Sequence, residues 1–244
     1  MGIPYPPDLS PYEPSKKESI ALKLRKAYGF PWRRKGAGME GSDSAGFEIT
    51  RAAPERFSTL SGVLGRGFVT EPMLQWSLGT RGDVARRFTE YFEYFNETLA
   101  RLGMLWEAGR ARGAAVWIPA DADAAFMHAL DASRSSIHTL TNDGGHRYDA
   151  YWEWVSARVP DERLWHLDSV AVETDSRGTG VGAALIRFGL HLAREQNTGA
   201  CLETATPTNV PYYEHLGFRI IDHADAPHGG PHTWFLRWDP FDAV

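Results

Sequence analysis

The last third of the chain alternates between short apolar runs and segments whose apolar residues recur at helical spacing. Strands are predicted at Trp165–Val172, Ala200–Thr204, Phe218–Asp222 and Thr233–Trp238. Between them lie a helix from Val181 to Gln196, with Val181, Leu185, Phe188 and Leu192 on one face, and a short helix from Pro211 to Leu216. Strands that alternate with helices predict an α/β fold with a mixed, partly parallel sheet. Upstream, Phe47–Arg51 reads as a strand, Pro54–Arg66 and Asp83–Arg101 as helices, and residues 122–159 as largely helical with a break at Asn142-Asp143-Gly144-Gly145. Met104–Glu107 and Ala114–Ile118 flank Ala-Gly-Arg-Ala-Arg-Gly and read as a β-hairpin.

The first residues follow a different pattern. Ser15 and Glu18 form a capping box, Ile20, Leu24 and Tyr28 share a helical face, and Gly29 and Pro31 stop the helix. Trp32–Gly46, rich in Gly, Ser and charge, reads as a linker. The chain of 244 residues thus divides into a basic helical extension with its linker, residues 1–46, and one compact domain, residues 47–244.

Composition makes that domain an ordinary globular one, with 43% hydrophobic and 12% aromatic residues. Residues 1–35 hold eight Lys/Arg and three Asp/Glu, whereas the remainder holds 18 and 28. An acidic body argues against nucleic acid as the domain's ligand and suits a protonated amine. No run approaches the roughly 20 apolar residues that span a bilayer, and Met1–Ser10 lacks the pattern of a signal peptide, so no membrane partner and a cytoplasmic location are expected. A single cysteine, Cys201, agrees with a reducing compartment. Nothing in the sequence sets an oligomeric state.

The candidate chemistry begins at Arg177-Gly178-Thr179-Gly180-Val181-Gly182, between a strand and a helix. Glycines turn the backbone tightly and present successive N–H groups, and the helix N-terminus adds partial positive charge, which suits a phosphate or pyrophosphate. The same residues fit a relaxed dinucleotide fingerprint, with Glu203 about 20 residues beyond. Two features oppose that alternative: Glu173–Arg177 intervene between strand and glycine, and only some 60 residues follow. The absence of a Walker A lysine excludes a P-loop.

Val170-Ala171-Val172 followed by Arg177–Gly182 resembles the acetyl-CoA motif of the GNAT acetyltransferases. Leu202-Glu203-Thr204, then Asn209-Val210-Pro211-Tyr212-Tyr213-Glu214-His215-Leu216-Gly217-Phe218, is similar to a second motif of that superfamily, most of all in its puromycin N-acetyltransferase branch. The resemblance is specific over residues 164–238, diffuse over 47–163 and absent over 1–46. It implies the GNAT acyl-CoA N-acyltransferase fold, with acetyl-CoA as cosubstrate. It also implies pantetheine binding at Val170, Ala171 and Val172, and pyrophosphate binding at Arg177, Gly178, Thr179, Gly180, Val181 and Gly182, with Asn209 beside the cofactor. Tyr213 matches the family's general acid toward the departing thiolate.

An attacking amine must lose a proton, and Glu203 and Asp168 are the acids on the two central strands. Glu203 is the first choice because it lies in the better-matching segment; a capping or surface role is the alternative. Cys201 reads as inert core. His223, Asp225, His228 and His232 fall in a Gly/Pro-rich segment without metal-ligand spacing, so no metal is expected. Phe92, Tyr94, Phe95, Tyr148, Tyr151, Trp152 and Trp154, interleaved with Glu90, Glu93, Asp149 and Glu153, supply candidates for the pocket of a cationic, partly aromatic amine. The reading is an N-acetyltransferase for a small-molecule amine, an antibiotic or other secondary metabolite included. A protein acetyltransferase and a non-catalytic acetyl-CoA sensor are the alternatives.

Overall fold

A computed structural model describes residues 41–42, 46–122, 124–160 and 162–240. The expected helix at Ser15–Tyr28 and most of its linker lie outside them. An eight-stranded sheet runs in the order β1-β2-β3-β4-β5-β6-β8-β7, where β1 is Gly41–Ser42, β2 Glu48–Arg51, β3 Leu105–Ala108, β4 Gly113–Ile118, β5 Trp165–Val172, β6 Ala200–Thr204, β7 Arg219–Asp225 and β8 His232–Trp238. All neighbours pair antiparallel except β5 and β6. This bears out the mixed, partly parallel sheet.

Helices cover both faces. On one lie α1 (Phe57–Gly67), α2 (Pro72–Leu78), α3 (Val84–Leu102), α4 (Ala124–His138) and α5 (His146–Ser156); on the other lie α6 (Val181–Glu195) and α7 (Val210–His215). Asp83 caps α3 by accepting the Arg86 N–H at 3.0 Å, and Gly103 ends it in the left-handed conformation. A Cβ at Gly65 would sit 2.5 Å from the Thr89 nitrogen, so the missing side chain lets α1 and α3 touch backbone to backbone. The helix α2 was not expected from the sequence; Pro72 opens it and Glu71 caps it, accepting the Leu74 N–H at 2.7 Å. Among the described residues no helix is long and apolar enough to cross a membrane.

Two irregularities shape the centre of the sheet. Val116 pairs with Ser169 and Trp117 with Leu167, which leaves Asp168 as the extra residue of a β-bulge. The bulge reverses the alternation of β5: Trp165 and Leu167 pack under α6 before it, whereas Val170 and Val172 pack there after it and Ala171 turns to the opposite core. Beyond Trp165–Ala200 and His166–Cys201, β5 and β6 no longer pair. The strands splay, and the backbone of Val170–Val172 faces a gap where a sheet neighbour would otherwise lie.

Candidate active site

The splay opens two cavities. One, of about 290 Å³, lies on the side of α1, α2, α3 and α5, and its lining includes Glu71, Tyr91, Phe92, Tyr151, Trp152, Asp168, Ser169, Glu203 and Tyr213. The other, of about 450 Å³, runs along Val170–Val172 to Arg177, Gly178 and the first turn of α6. Val170, Asn209 and Tyr213 line both, so the cavities meet at that point.

The second cavity has the chemistry expected of an anion cradle. Gly178 and Gly180 adopt positive φ (75° and 92°), and the amides of Gly178, Gly180, Val181, Gly182 and Ala183 have no backbone acceptor among the described hydrogen bonds. A Cβ on Gly182 would lie 3.1 Å from the Tyr212 hydroxyl and 3.3 Å from Val172, so a side chain there would crowd the first turn. Thr179 does not line the cavity; its hydroxyl donates to the Ser176 carbonyl at 2.7 Å and shapes the loop. Arg112, which the sequence did not single out, donates to Ser176 Oγ at 3.1 Å from the turn of the β3–β4 hairpin and braces the loop from beneath.

The first cavity collects the acids. Asp168 and Glu203 both reach it by alternation along β5 and β6 from the His166–Cys201 pair, and the bulge turns Ser169 to the same side. His166, unmarked in the sequence reading, sits 2.9 Å from Glu203 through Nε2. Burial opposes a charged imidazole there, but the Glu203 carboxylate, with Asp168 behind it, outweighs burial and raises the His166 pKa. Burial, reinforced by the Glu203 charge, pushes Asp168 up to about 6, against the pull of His166 and the weak opposition of the nearby Ser169 hydroxyl. Glu71 is pushed to about 7, again by burial first, with Glu203 adding to it and the α2 amides opposing. Burial and the charges of Tyr212 and Glu203 raise the Tyr213 phenol, so it is protonated at neutral pH.

Other candidates are placed differently. Phe92, Tyr151 and Trp152 line the first cavity, but Tyr94, Phe95, Tyr148 and Trp154 pack around it. None of Glu90, Glu93, Asp149 or Glu153 lines it: Glu90 accepts from Tyr94, Glu93 from Ser58, and Asp149 meets His138 on the outer faces of the helices. The acid missed in their stead is Glu71. Its only signal was the Glu-Pro step of a helix start. The histidine-rich segment forms the end of the β7–β8 hairpin, with His228 in its turn, where His223 and His232 approach to 3.2 Å and His232 meets Asp225 at 2.6 Å. Among the described residues no group of three such side chains is arranged to hold a metal. Cys201 is buried, and burial raises its thiol pKa, so it stays protonated.

Residues 141–220 match the family model of an acetyltransferase (GNAT) domain. A histone acetyltransferase HPA2-related protein from Corynebacterium glutamicum superposes with a TM-score of 0.57 at 20% identity, over 80% of this chain and 97% of that one. The chain has the GNAT fold. The same fold appears in a mosquito arylalkylamine N-acetyltransferase-like protein (TM-score 0.55, 13% identity, 78% and 98% covered) and in an agmatine N-acetyltransferase (0.56, 12%, 79% and 99%). At these identities the likeness is one of architecture. Within the GNAT fold of this chain, the splayed β5–β6 pair and the glycine loop before α6 are the parts that the sequence motifs had marked.

Proposed function

We propose that this chain transfers the acetyl group of acetyl-CoA to the amine of a small molecule, directly within a ternary complex. The observation that carries the reading is the junction at Val170, Asn209 and Tyr213, where a cavity with free amides meets one lined by carboxylates. The amides of Gly180–Ala183 and the Arg177 side chain suit the pyrophosphate, and the unpaired edge of Val170–Val172 suits the pantetheine amides.

The protein's part is then proton handling and positioning. As the amine nitrogen bonds to the acetyl carbon, its proton passes to a carboxylate. As the carbon–sulfur bond breaks, the thiolate takes a proton from Tyr213. Asp168 is the better acceptor of the two strand acids, because Glu203 is already engaged by His166.

A cavity of about 290 Å³ walled by aromatic rings suits a small molecule rather than a peptide. Two proteins with this fold are by name an arylalkylamine N-acetyltransferase-like protein and an agmatine N-acetyltransferase, and residues 202–218 resemble the puromycin N-acetyltransferases. All are consistent with a small cationic amine. The test is incubation with acetyl-CoA and a panel of amines, following free thiol and the mass of the product. A chain that neither binds coenzyme A nor releases thiol with any amine is not this enzyme.

A further inference from the structure

The glycine loop before α6 rests on a hairpin tip that is itself strained. Gly109, Arg110 and Ala111 follow one another with φ of 47°, 58° and 68°, just beyond the Ala108–Gly113 pair that closes β3 and β4. Glycine adopts that region freely, but other residues rarely do, and two in succession persist only where the surroundings enforce them. What this tip delivers is Arg112.

Arg112 reaches three separate segments. Its Nε donates to Ser176 Oγ at 3.1 Å, its Nη2 to Thr179 Oγ1 at 3.5 Å, and its guanidinium lies 5.2 Å from the centre of the Phe47 ring. Its carbonyl accepts the Glu173 N–H at 2.9 Å, so backbone and side chain grip both ends of the turn from Glu173 to Thr179. The tip comes this close because Gly113 has no side chain: a Cβ there would sit 2.7 Å from Val181, the first residue of α6. Ser176 is 5% exposed and lines the cavity of the glycine loop, whereas Arg112 lines neither cavity. Its contacts with that cavity therefore run through the residues it holds.

We propose that Arg112 is a positioning residue for the cofactor, fixing Ser176 and Thr179 so that the free amides of Gly178 and Gly180–Ala183 converge on one pyrophosphate. The inference rests on the reading of that cavity as the acetyl-CoA site. An unbraced loop must be ordered by its ligand at the expense of affinity, whereas a braced loop is ordered beforehand.

Calorimetric titration of the full chain with coenzyme A tests it. Arg112→Ala should raise Kd about 10-fold, the scale of a lost hydrogen bond from a charged group. Arg110→Ala removes the same charge from the same tip but leaves the contacts to Ser176 and Thr179 in place, and it should leave Kd nearly unchanged. Arg112→Lys keeps the charge without the planar fork, and should bind almost as weakly as Arg112→Ala. In a Ser176→Ala background, Arg112→Ala should cost little further affinity, because the two residues act as one unit. In turnover the loss should fall on KM for acetyl-CoA rather than on kcat. Unchanged affinity in Arg112→Ala, an equal loss in Arg110→Ala, full rescue by lysine, additive losses in the double variant, or a loss in kcat alone each overturn the proposal. Should Arg112→Ala fail to fold, Arg112→Lys carries the same decision. A wild type that binds no coenzyme A refutes the cofactor reading and the proposal with it, whereas a wild type that binds no better than Arg112→Ala refutes the brace alone. Absence of turnover with every amine refutes the acetyltransferase without altering the Kd comparison.

Discussion

His166 Nε2 lies 2.9 Å from Glu203 Oε2, so the parallel strands β5 and β6 exchange a side-chain contact just where their backbone pairing stops. The contact has two consequences. It fixes Glu203 in one orientation, and it gives the cavity a pair whose proton is shared, leaving Asp168 as the carboxyl on the sheet without such a partner. Replacing Asp168 by Asn should accordingly lower kcat by about 10²–10⁴, the range of a general base, and Glu203→Gln by less. Single-turnover measurements at saturating amine check the order; a larger loss at Glu203 would exchange their roles.

The pH profile follows from the same assignment. Asp168, pushed up to about 6, accepts a proton only when ionised, so kcat should rise with pH through about 6. Asp168→Asn should remove that limb and Glu203→Gln should keep it. A limb that survives in Asp168→Asn belongs to another group.

The raised carboxyls also act on stability. A carboxyl whose folded pKa lies above its unfolded one binds its proton more tightly in the folded state, so its contribution is full below the unfolded value, about 4, and is lost as pH rises through the folded value. For Asp168 and Glu71 the windows end at about 6 and about 7. Asp168→Asn and Glu71→Gln should therefore raise the melting temperature near neutral pH, by about 2–4 °C for each kcal/mol recovered, and change it little near pH 4. Thermal melts at both pH values check this, and an unchanged or lower melting temperature at neutral pH contradicts it.

The strands and helices of the last third were legible because their apolar periods were clean and glycines marked their ends. The loop from Arg177 to Gly182 and the residues Tyr213, Glu203 and Asp168 were legible from the same segment. What the sequence did not carry was registry. The bulge at Asp168 depends on how β4 pairs with β5, and the meeting of Asp168 with Glu203 depends on the His166–Cys201 pairing of β5 with β6; one strand's own pattern declares neither. Glu71 was missed because α2 is seven residues long, too short for a helical period to declare itself. His166 was missed because its meaning comes from the neighbouring strand rather than from its own.

The loop before α6 offers a test that is independent of the acids. Gly180 holds φ at 92°, which L side chains rarely adopt, at a cost of about 1–3 kcal/mol where they are forced to. Gly180→Ala should therefore reshape the turn that aims the amides and weaken coenzyme A binding by about 10-fold, with the amine KM less affected. Calorimetry with coenzyme A reads the effect. Unaltered affinity would mean that the turn is not where the pyrophosphate sits.

Tyr213 separates catalysis from packing within one side chain. It is 8% exposed and its ring stands 5.9 Å from that of Phe218 and 5.8 Å from that of Tyr212, so the ring is part of the core under α7 whatever the hydroxyl does. Tyr213→Phe keeps the ring and these contacts, and the melting temperature should change little. The hydroxyl lies on the residue shared by the two cavities, and burial keeps the phenol protonated at neutral pH. If that proton goes to the departing sulfur as the carbon–sulfur bond breaks, the substitution should lower kcat by about 10²-fold while coenzyme A affinity moves far less. That loss equals about 2.7 kcal/mol of transition-state stabilisation. Burst and steady-state rates with a reactive amine establish whether chemistry limits turnover. Where it does, a variant within about twofold of the wild type assigns Tyr213 to the core alone and leaves protonation of the thiolate to water.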